Sequence, residues 1–529
     1  MYISGNDDTI CAPATIPGTG AISVIRVSGP QALTIADTVV ECKRGKISEA
    51  EGYSIRFGTI FSESGEILDQ VLVSIFKAPH SYTGENSVEI SCHSSAYIVS
   101  QIINLLLKAG ARSAEPGEFT QRAFINGKMD LAQAEAVADV IASQNAAAHR
   151  IAMRQLKGGF SSELKKMRSS LLEIVSLMEL ELDFSEEEVE FADRGRLKEL
   201  VEATLDHIGR LVGSFKAGNA IKNGVPVAIA GATNAGKSTL LNALLGEERA
   251  IVSDIHGTTR DTIEETLVLD GVLFRFIDTA GLRETDETIE KIGIQRTLQK
   301  IDDASVVLAM IDSTRPFEEI YSNLLEIIER VHLTEQRLMI LLNKADISGG
   351  NHGKCGCNNF VSIWNLIVSH AESKGLKDKF DFLTGFDSIL PDSSSIEPHS
   401  SDSVALIPAH SDSTRTISGV SDSVATIPVI PISAKEGTGL DTLRRTLSSS
   451  VKDLLKEDGT MVTNTRHIQA LTQAQTSLTR VREGLDTTLP TDLLAQDLRE
   501  TLHHLGTITG DITTDEVLGN IFRNFCIGK

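Results

Sequence analysis

Cysteine is scarce, with six in 529 residues, too few for a disulfide framework. Cys355 and Cys357 form a C-x-C pair. No second Cys/His pair stands at zinc-finger spacing, so the pair reads as loop. Cys11, Cys42 and Cys92 read as ordinary buried or half-buried thiols. Long apolar runs are missing too: none approaches the roughly 18 residues needed to span a bilayer. The first residues, Met1 to Asp8, hold no basic stretch followed by an apolar one. The expected location is cytoplasmic, with no membrane partner. Positive charge is also in deficit: 50 Lys and Arg face 72 Asp and Glu, a net charge of −22. Nonspecific nucleic-acid affinity comes from Lys and Arg neutralising phosphates. The balance argues against a general nucleic-acid binder, while leaving room for a locally basic groove or a basic partner.

What is present suffices for several cores. Hydrophobic residues make up 41% of the chain, and the length suggests three or four domains of about 150 residues each. Residues 1–120 alternate apolar runs with turn signals. Ala21 to Val27 and Val71 to Phe76 read as strands, and Tyr97 to Leu107 carries helical spacing. This predicts a small α+β domain. Residues 121–218 change character. Asp130 and Gln133 make a capping box opening a helix, and Leu164, Met167, Leu171, Ile174, Val175 and Met178 fall on one helical face. Residues 219–455 read as an α/β unit. Residues 456–529 are helical again, with breaks near Pro490 and Gly506. Helical stretches flanking an α/β unit predict one helical domain with that unit inserted; two independent bundles would give the same local pattern.

Residues from about 350 to 428 stand apart. From Pro391 the chain runs in ten-residue units, and Ser401-Asp402-Ser403-Val404-Ala405 returns as Ser421-Asp422-Ser423-Val424-Ala425. A segment dominated by Ser and Asp buries too little apolar surface to offset its ordering entropy. It reads as a disordered surface insertion, the alternative being a regulatory or partner-binding loop.

One motif decides the class. Val227-Ala228-Ile229-Ala230 is a buried-strand run, followed at once by Gly231-Ala232-Thr233-Asn234-Ala235-Gly236-Lys237-Ser238 and a helix from Thr239. This is G-x-x-x-x-G-K-S in the strand–loop–helix context that confirms it. Such a loop turns its backbone N–H groups onto phosphate oxygens, and the helix N-terminus adds positive potential. Lys237 is placed for the β- and γ-phosphates and Ser238 for Mg²⁺. Further elements follow in chain order. Gly257-Thr258-Thr259-Arg260-Asp261 offers a threonine to Mg²⁺. Asp278-Thr279-Ala280-Gly281 ends a strand in D-x-x-G. Asn343-Lys344-Ala345-Asp346 ends another in N-K-x-D, where Asp346 can accept from guanine N1–H and its amino group, selecting GTP over ATP. Ser433-Ala434-Lys435 completes the base pocket.

Hydrolysis needs a group to orient water. The position after D-x-x-G, often a glutamine, is Leu282. Either turnover is very slow or another group serves, with Glu284, Asp286, Glu287 and Glu290 as candidates. Arg260 and Arg283 cannot be assigned as arginine fingers. A monovalent cation held by the Asn234 carbonyl is one substitute; Asn234 simply capping the loop turn is the other reading.

With the flanking domains, these residues resemble the MnmE (TrmE) family of tRNA-modification GTPases. Beyond the GTPase motifs, the resemblance rests on Asp8-Thr9-Ile10 with Pro17-Gly18 and Ile25 to Gly29, on Pro116-Gly117-Glu118-Phe119 with Arg122-Ala123-Phe124, on Asn126 to Ala136, and on the terminal Phe525-Cys526-Ile527-Gly528-Lys529. It covers nearly all the chain except about 350–428. It implies a multidomain fold: an N-terminal α+β folate-binding-like domain, a discontinuous helical domain, and an inserted Ras-like P-loop GTPase domain. The first would bind 5-formyl- or 5,10-methylene-tetrahydrofolate through Arg26, Glu89, Lys128 and Lys529, and would drive homodimerisation. The GTP contacts implied are Asn234, Ala235, Gly236, Lys237, Ser238 and Thr239; Ser253, Asp254, Ile255, His256, Gly257 and Thr258; and the D-x-x-G, N-K-x-D and S-A-K residues. Mg²⁺ would sit on Ser238 and Thr259, and K⁺ on Asn234, Ser253, Ile255 and Thr258. Glu290 matches the family's water-orienting glutamate, and Cys526 its C-terminal catalytic cysteine. With an FAD-containing partner, MnmG (GidA), in a heterotetramer, the family adds an aminomethyl or carboxymethylaminomethyl group to C5 of the wobble uridine of certain tRNAs. Ala232 and Thr233 stand where family members often have Pro or Arg, and the repeat insertion is not a family feature.

Overall fold

The computed structural model describes residues 8–18, 20–183, 194–246, 265–277, 301–302, 304–332, 336–346, 405–407, 427–455, 460–487, 489–523, 525 and 528. The chain divides into two compact units, one of residues 1–143, 149–215 and 460–529, the other of 144–148 and 216–459.

The first unit opens with a seven-stranded sheet. Its strands are β1 (Ile10–Pro13), β2 (Ile22–Ser28), β3 (Val40–Cys42), β4 (Ser54–Phe61), β5 (Ile67–Phe76), β6 (Ser87–His93) and β7 (Arg112–Ser113), in the order β3-β4-β5-β6-β2-β1-β7. Helices α1 (Ala32–Val39) and α2 (Ala96–Lys108) supply Leu33, Ile35, Ile102 and Leu106 to a core with Val71, Val73 and Ile75. The strand period of two turns the intervening residues away from that core, so Leu72 is exposed. A short helix α3 (Glu118–Ile125) follows.

The helical part begins with α4 (Leu131–Ala142), whose capping box is formed as expected: Asp130 accepts from the Gln133 N–H at 3.0 Å, and the Gln133 side chain accepts from the Asp130 N–H. Next come α5 (Ala146–Leu156), α6 (Gly159–Asp183) and α7 (Arg194–Asn223).

The second unit is a doubly wound sheet. Its strands are β8 (Val225–Ala230), β9 (Glu265–Leu269), β10 (Val272–Phe276), β11 (Val306–Asp312), β12 (Arg337–Asn343), β13 (Ala405–Ile407) and β14 (Ile427–Pro431). The order is β13-β14-β12-β11-β8-β10-β9, parallel except at the two edges. Alternate residues serve opposite faces. Val306, Leu308 and Met310 pack with α8 (Lys237–Leu245) and α10 (Leu440–Leu455). Val307, Ala309 and Ile311 pack with α9 (Phe317–Arg330). Both faces being covered, β11 is buried at every residue. Three residues of the repeat region, Ala405–Ile407, pair antiparallel with β14 as an edge strand. Cys355, Cys357 and the rest of residues 347–404 and 408–426 lie outside the described residues.

Helices α11 (Thr465–Asp486), α12 (Thr491–Thr509) and α13 (Asp515–Phe522) complete the first unit. Leu471, Leu478 and Val481 of α11 and Leu498, Leu502 and Leu505 of α12 share one core with Leu164, Leu171 and Val175 of α6. The two helical stretches therefore form one discontinuous domain. The break expected near Pro490 is present, but the one expected near Gly506 falls at Gly510. Gly506 stays inside α12, buried beneath Ile512. Gly510 takes the left-handed φ of +84° that ends the helix.

Candidate functional site

The glycine-rich loop leaves the C-terminal end of β8, where the sheet order reverses direction. Brandished between strand and helix, such a switch point is where open α/β sheets bind ligands. Asn234 adopts a φ of +63°, and Gly236, at +99°, sits at the N-cap of α8. A Cβ on Gly236 would collide with Asn343 Nδ2, so the residue type is set by contact as well as by dihedral. The Lys237 ammonium donates to the carbonyls of Gly231 at 2.8 Å and Ala232 at 3.0 Å. It thus lies across the loop that its charge would serve.

Asn343 joins three segments. It is 4% exposed. Its Nδ2 donates to the Ala235 carbonyl at 2.7 Å, and its Oδ1 accepts from the Ala434 N–H at 3.0 Å. The phosphate loop, the N-K-x-D turn and the S-A-K turn are thereby held by one amide. β12 pairs parallel with β14, which brings the last two side by side; Ala345 N–H also donates to Ile432 O at 3.2 Å. Ser433 is buried, while Ala345, Asp346 and Lys435 are exposed.

Asp312 was not singled out from the sequence. Buried at the end of β11, it accepts from Lys344 Nζ at 2.7 Å and from the Thr314 hydroxyl at 2.6 Å. Burial pushes its carboxyl up, but the hydrogen bonds from Lys344 and Thr314 outweigh that and hold it below its usual value. It fixes the Lys344 side chain. A strand run ending in Asp, Val306 to Asp312, was the available signal. Ser253 to Thr259, Asp278 to Gly281, Leu282 and Glu290 lie outside the described residues, as do Arg260, Arg283, Glu284, Asp286 and Glu287.

The N-terminal sheet carries a second constellation. Arg26 on β2 and Glu89 on β6 stand opposite each other in register, with Arg26 Nη2 donating to Glu89 at 2.8 Å. The guanidinium lies over the rings of Tyr82, at 5.3 Å, and Phe119, at 5.6 Å. It also donates to the Gly528 carbonyl at 3.4 Å. Gly528 is therefore held at β2. Lys128 donates to the Pro79 carbonyl at 3.0 Å. Cys526 and Lys529 lie outside the described residues. Burial pushes the Cys11 and Cys92 thiols up to about 11 and raises Cys42, which disfavours the reactive thiolate form. Among the described residues no group of three or more His, Cys, Asp or Glu could hold a metal ion, and no helix is long and apolar enough to cross a membrane.

A parallel sheet with a glycine-rich loop at its switch point, braced against N-K-x-D and S-A-K turns, defines a P-loop guanine-nucleotide-binding protein. Family models refine this. One described as "MnmE helical domain" matches residues 131–526, and one described as "GTP-binding protein TrmE N-terminus" matches residues 9–128. A tRNA modification GTPase MnmE of Bacteroides thetaiotaomicron is 47% identical over 527 residues, covering 99% of this chain and all of the relative. Its counterpart in Flavobacterium johnsoniae is 45% identical over 528 residues, with 99% and 100% covered. Among solved structures, the G domain of the T. maritima FeoB iron transporter is 20% identical over 44% of this chain and 99% of that one, at a TM-score of 0.23. The chain belongs to the MnmE (TrmE) family of tRNA modification GTPases, and its enzymatic class is GTP hydrolase.

Proposed function

We propose that this GTPase acts with an FAD-containing MnmG-type partner to add an aminomethyl or carboxymethylaminomethyl group to C5 of the wobble uridine of certain tRNAs. The observation that carries this reading beyond GTP hydrolysis is the Gly528 carbonyl on Arg26. It brings Gly528, two residues beyond Cys526 in sequence, to a charged seat in the N-terminal domain. The seat suits a tetrahydrofolate. Arg26 and Lys128 offer charge to its carboxylates and Glu89 an acceptor to its pterin N–H groups. When bound, that cofactor supplies the one-carbon unit.

The same sheet face supports homodimerisation. In the ladder, Ile55, Ser74, Glu89 and Arg26 form one row across four strands, with Phe57 and Leu72 in the next. Ile55 is 63%, Phe57 45% and Leu72 49% exposed. A contiguous apolar patch of this kind marks an association surface, and a second copy seated there would border the folate seat.

For hydrolysis, Asn343 and Gly236 shape a cradle for phosphates, Asp346 reads guanine, and Ser238 and Thr259 hold Mg²⁺. Asn234 stands exposed with a left-handed backbone, free to present its carbonyl to K⁺ alongside Ser253, Ile255 and Thr258. Glu290 orients the attacking water in place of Leu282. The test has two arms. GTP turnover by the purified protein should rise sharply when Na⁺ is replaced by K⁺, and equal rates remove the cation site. Wobble nucleosides from cells lacking the protein should lose their C5 substituent; an unchanged profile overturns the modification reading.

A further inference from the structure

The first unit holds a shallow, open trough of about 590 Å³ whose lining residues are serine, lysine, Asp130, Gln133 and Gly158, with carbon making up much of the surface between their polar atoms. Its floor is the start of α4 and its wall one face of α6. Ser162, Lys165, Lys166, Ser169 and Ser170 project along that wall. Their spacing of three and four residues keeps them on a single helical face. Part of this polarity is already engaged. Asp130 accepts from Ser161 at 2.9 Å and from Lys165 at 3.3 Å, besides capping α4. Gln133 donates to the Leu156 carbonyl at 2.9 Å. With Asp130 balanced by Lys165, Lys166 leaves the trough with a net positive charge. Lys166 is exposed, as are Ser162 and Ser169.

One further feature points the same way. The surrounding sequence is basic against the trend of the whole chain. Between Ala146 and Ser170 stand Arg150, Arg154, Lys157, Lys165, Lys166 and Arg168, with Glu163 as the one acid, in a chain of net charge −22.

The geometry points to this trough as a seat for the phosphate–ribose backbone of the RNA substrate. The inference rests on the tRNA reading above and adds where the RNA lies. Hydroxyls and ammonium groups without an aromatic side chain suit phosphates and ribose hydroxyls, not stacked bases. Backbone contacts of this kind position a nucleic acid without reading its sequence. An acidic protein surface would meet the same charge, but not so uniform a row of hydroxyls.

The test is fluorescence anisotropy of a labelled, unmodified tRNA transcript, titrated with the full-length protein, alone and with its flavin partner, over a range of KCl. Lys166→Glu should weaken binding about tenfold and lower the slope of log affinity against log salt by about one. Lys166→Arg should bind as the wild type does, and GTP turnover and the thermal midpoint should not change in either variant. Equal affinity and slope for Lys166→Glu, with wild type binding, overturns the trough alone. A wild type that binds no transcript under either condition overturns the tRNA reading and the trough with it. A variant that keeps RNA but loses the flavin protein makes the trough a protein-docking face and also overturns the proposal.

Discussion

Asn343 in the nucleotide-binding unit and Glu135 in the helical domain each join segments far apart in the chain, and they do so with different chemistry. Asn343 is neutral. It spends its amide on the backbone of two loops, Ala235 and Ala434, and so leaves neighbouring side chains such as Asp346 and Lys435 exposed. Glu135, on α4, is charged. It accepts from Arg466 Nε at 2.9 Å and Nη2 at 2.8 Å and lies 2.6 Å from His467 Nε2. Arg466 spends further donors on the carbonyls of Thr507 and Ile508. The carboxylate is thus saturated from within, at the point where the chain re-enters the helical domain after the nucleotide-binding unit. One arrangement holds backbone so that side chains remain available to a ligand. The other consumes its side chains and holds only structure.

The largest expected effect breaks the first of these. Asn343→Ala leaves a buried carbonyl and a buried N–H without partners, at about 1–3 kcal/mol each. Guanine-nucleotide affinity should fall on the order of a hundredfold or more, measured by titration with a fluorescent GDP analogue. A variant that loses stability but keeps its affinity would show that Asn343 is only a brace, erasing the contrast with Glu135.

Glu135→Gln should act on stability alone. Removing one partner of a buried ion pair costs about 3–5 kcal/mol, while nucleotide affinity at neutral pH should stay within about twofold, since the bonds of Glu135, Arg466 and His467 run to helical-domain residues. A pH dependence follows. Burial raises the Glu135 carboxyl, but His467 and Arg466 outweigh it and hold the value at about 2, below the usual 4.5. A lowered folded-state value means that the stabilisation is present above about pH 4.5 and is lost as pH falls towards 2. Urea unfolding followed across that window should be steep for the wild type and flatter for Glu135→Gln. Parallel profiles would assign the acid sensitivity to other carboxyls held low by their partners, such as Asp312, Glu118 and Asp8.

These two clusters also show how far the sequence could be read. The phosphate loop was legible because its chemistry is local: strand, glycines and Lys237 stand within a dozen residues. The capping box at Asp130 and the α6 face were legible for the same reason. Asn343 could be found as part of a motif, but its bonds to Ala235 and Ala434 span 108 and 91 residues and have no periodicity to reveal them. Asp312 and the Glu135–Arg466–His467 cluster were missed because each is a lone polar residue in an otherwise ordinary strand or helix. The break near Gly506 was misplaced because a glycine inside a helix and a glycine ending one look alike until packing separates them. At Gly506 it is Ile512 that takes the space.

The smallest expected effect concerns the repeats, and its boundary matters. Deleting 391–426 removes the edge strand Ala405–Ile407 but stops before β14. β14 keeps its parallel partner β12, so the sheet retains its core, and GTP affinity and the thermal midpoint should change little. Extending the deletion through Pro428 is a different experiment. Ile427 is 7% exposed and packs with Val429 and Ile340 in the core beneath α9. Its loss forfeits about 1.5–3 kcal/mol of burial and shortens the strand that presents Ser433 and Ala434 to Asn343. If both deletions were equally harmless, β14 would not be positioning the base turn. If both were equally damaging, the edge strand would belong to the nucleotide site, and the insertion would have become part of the machinery it interrupts.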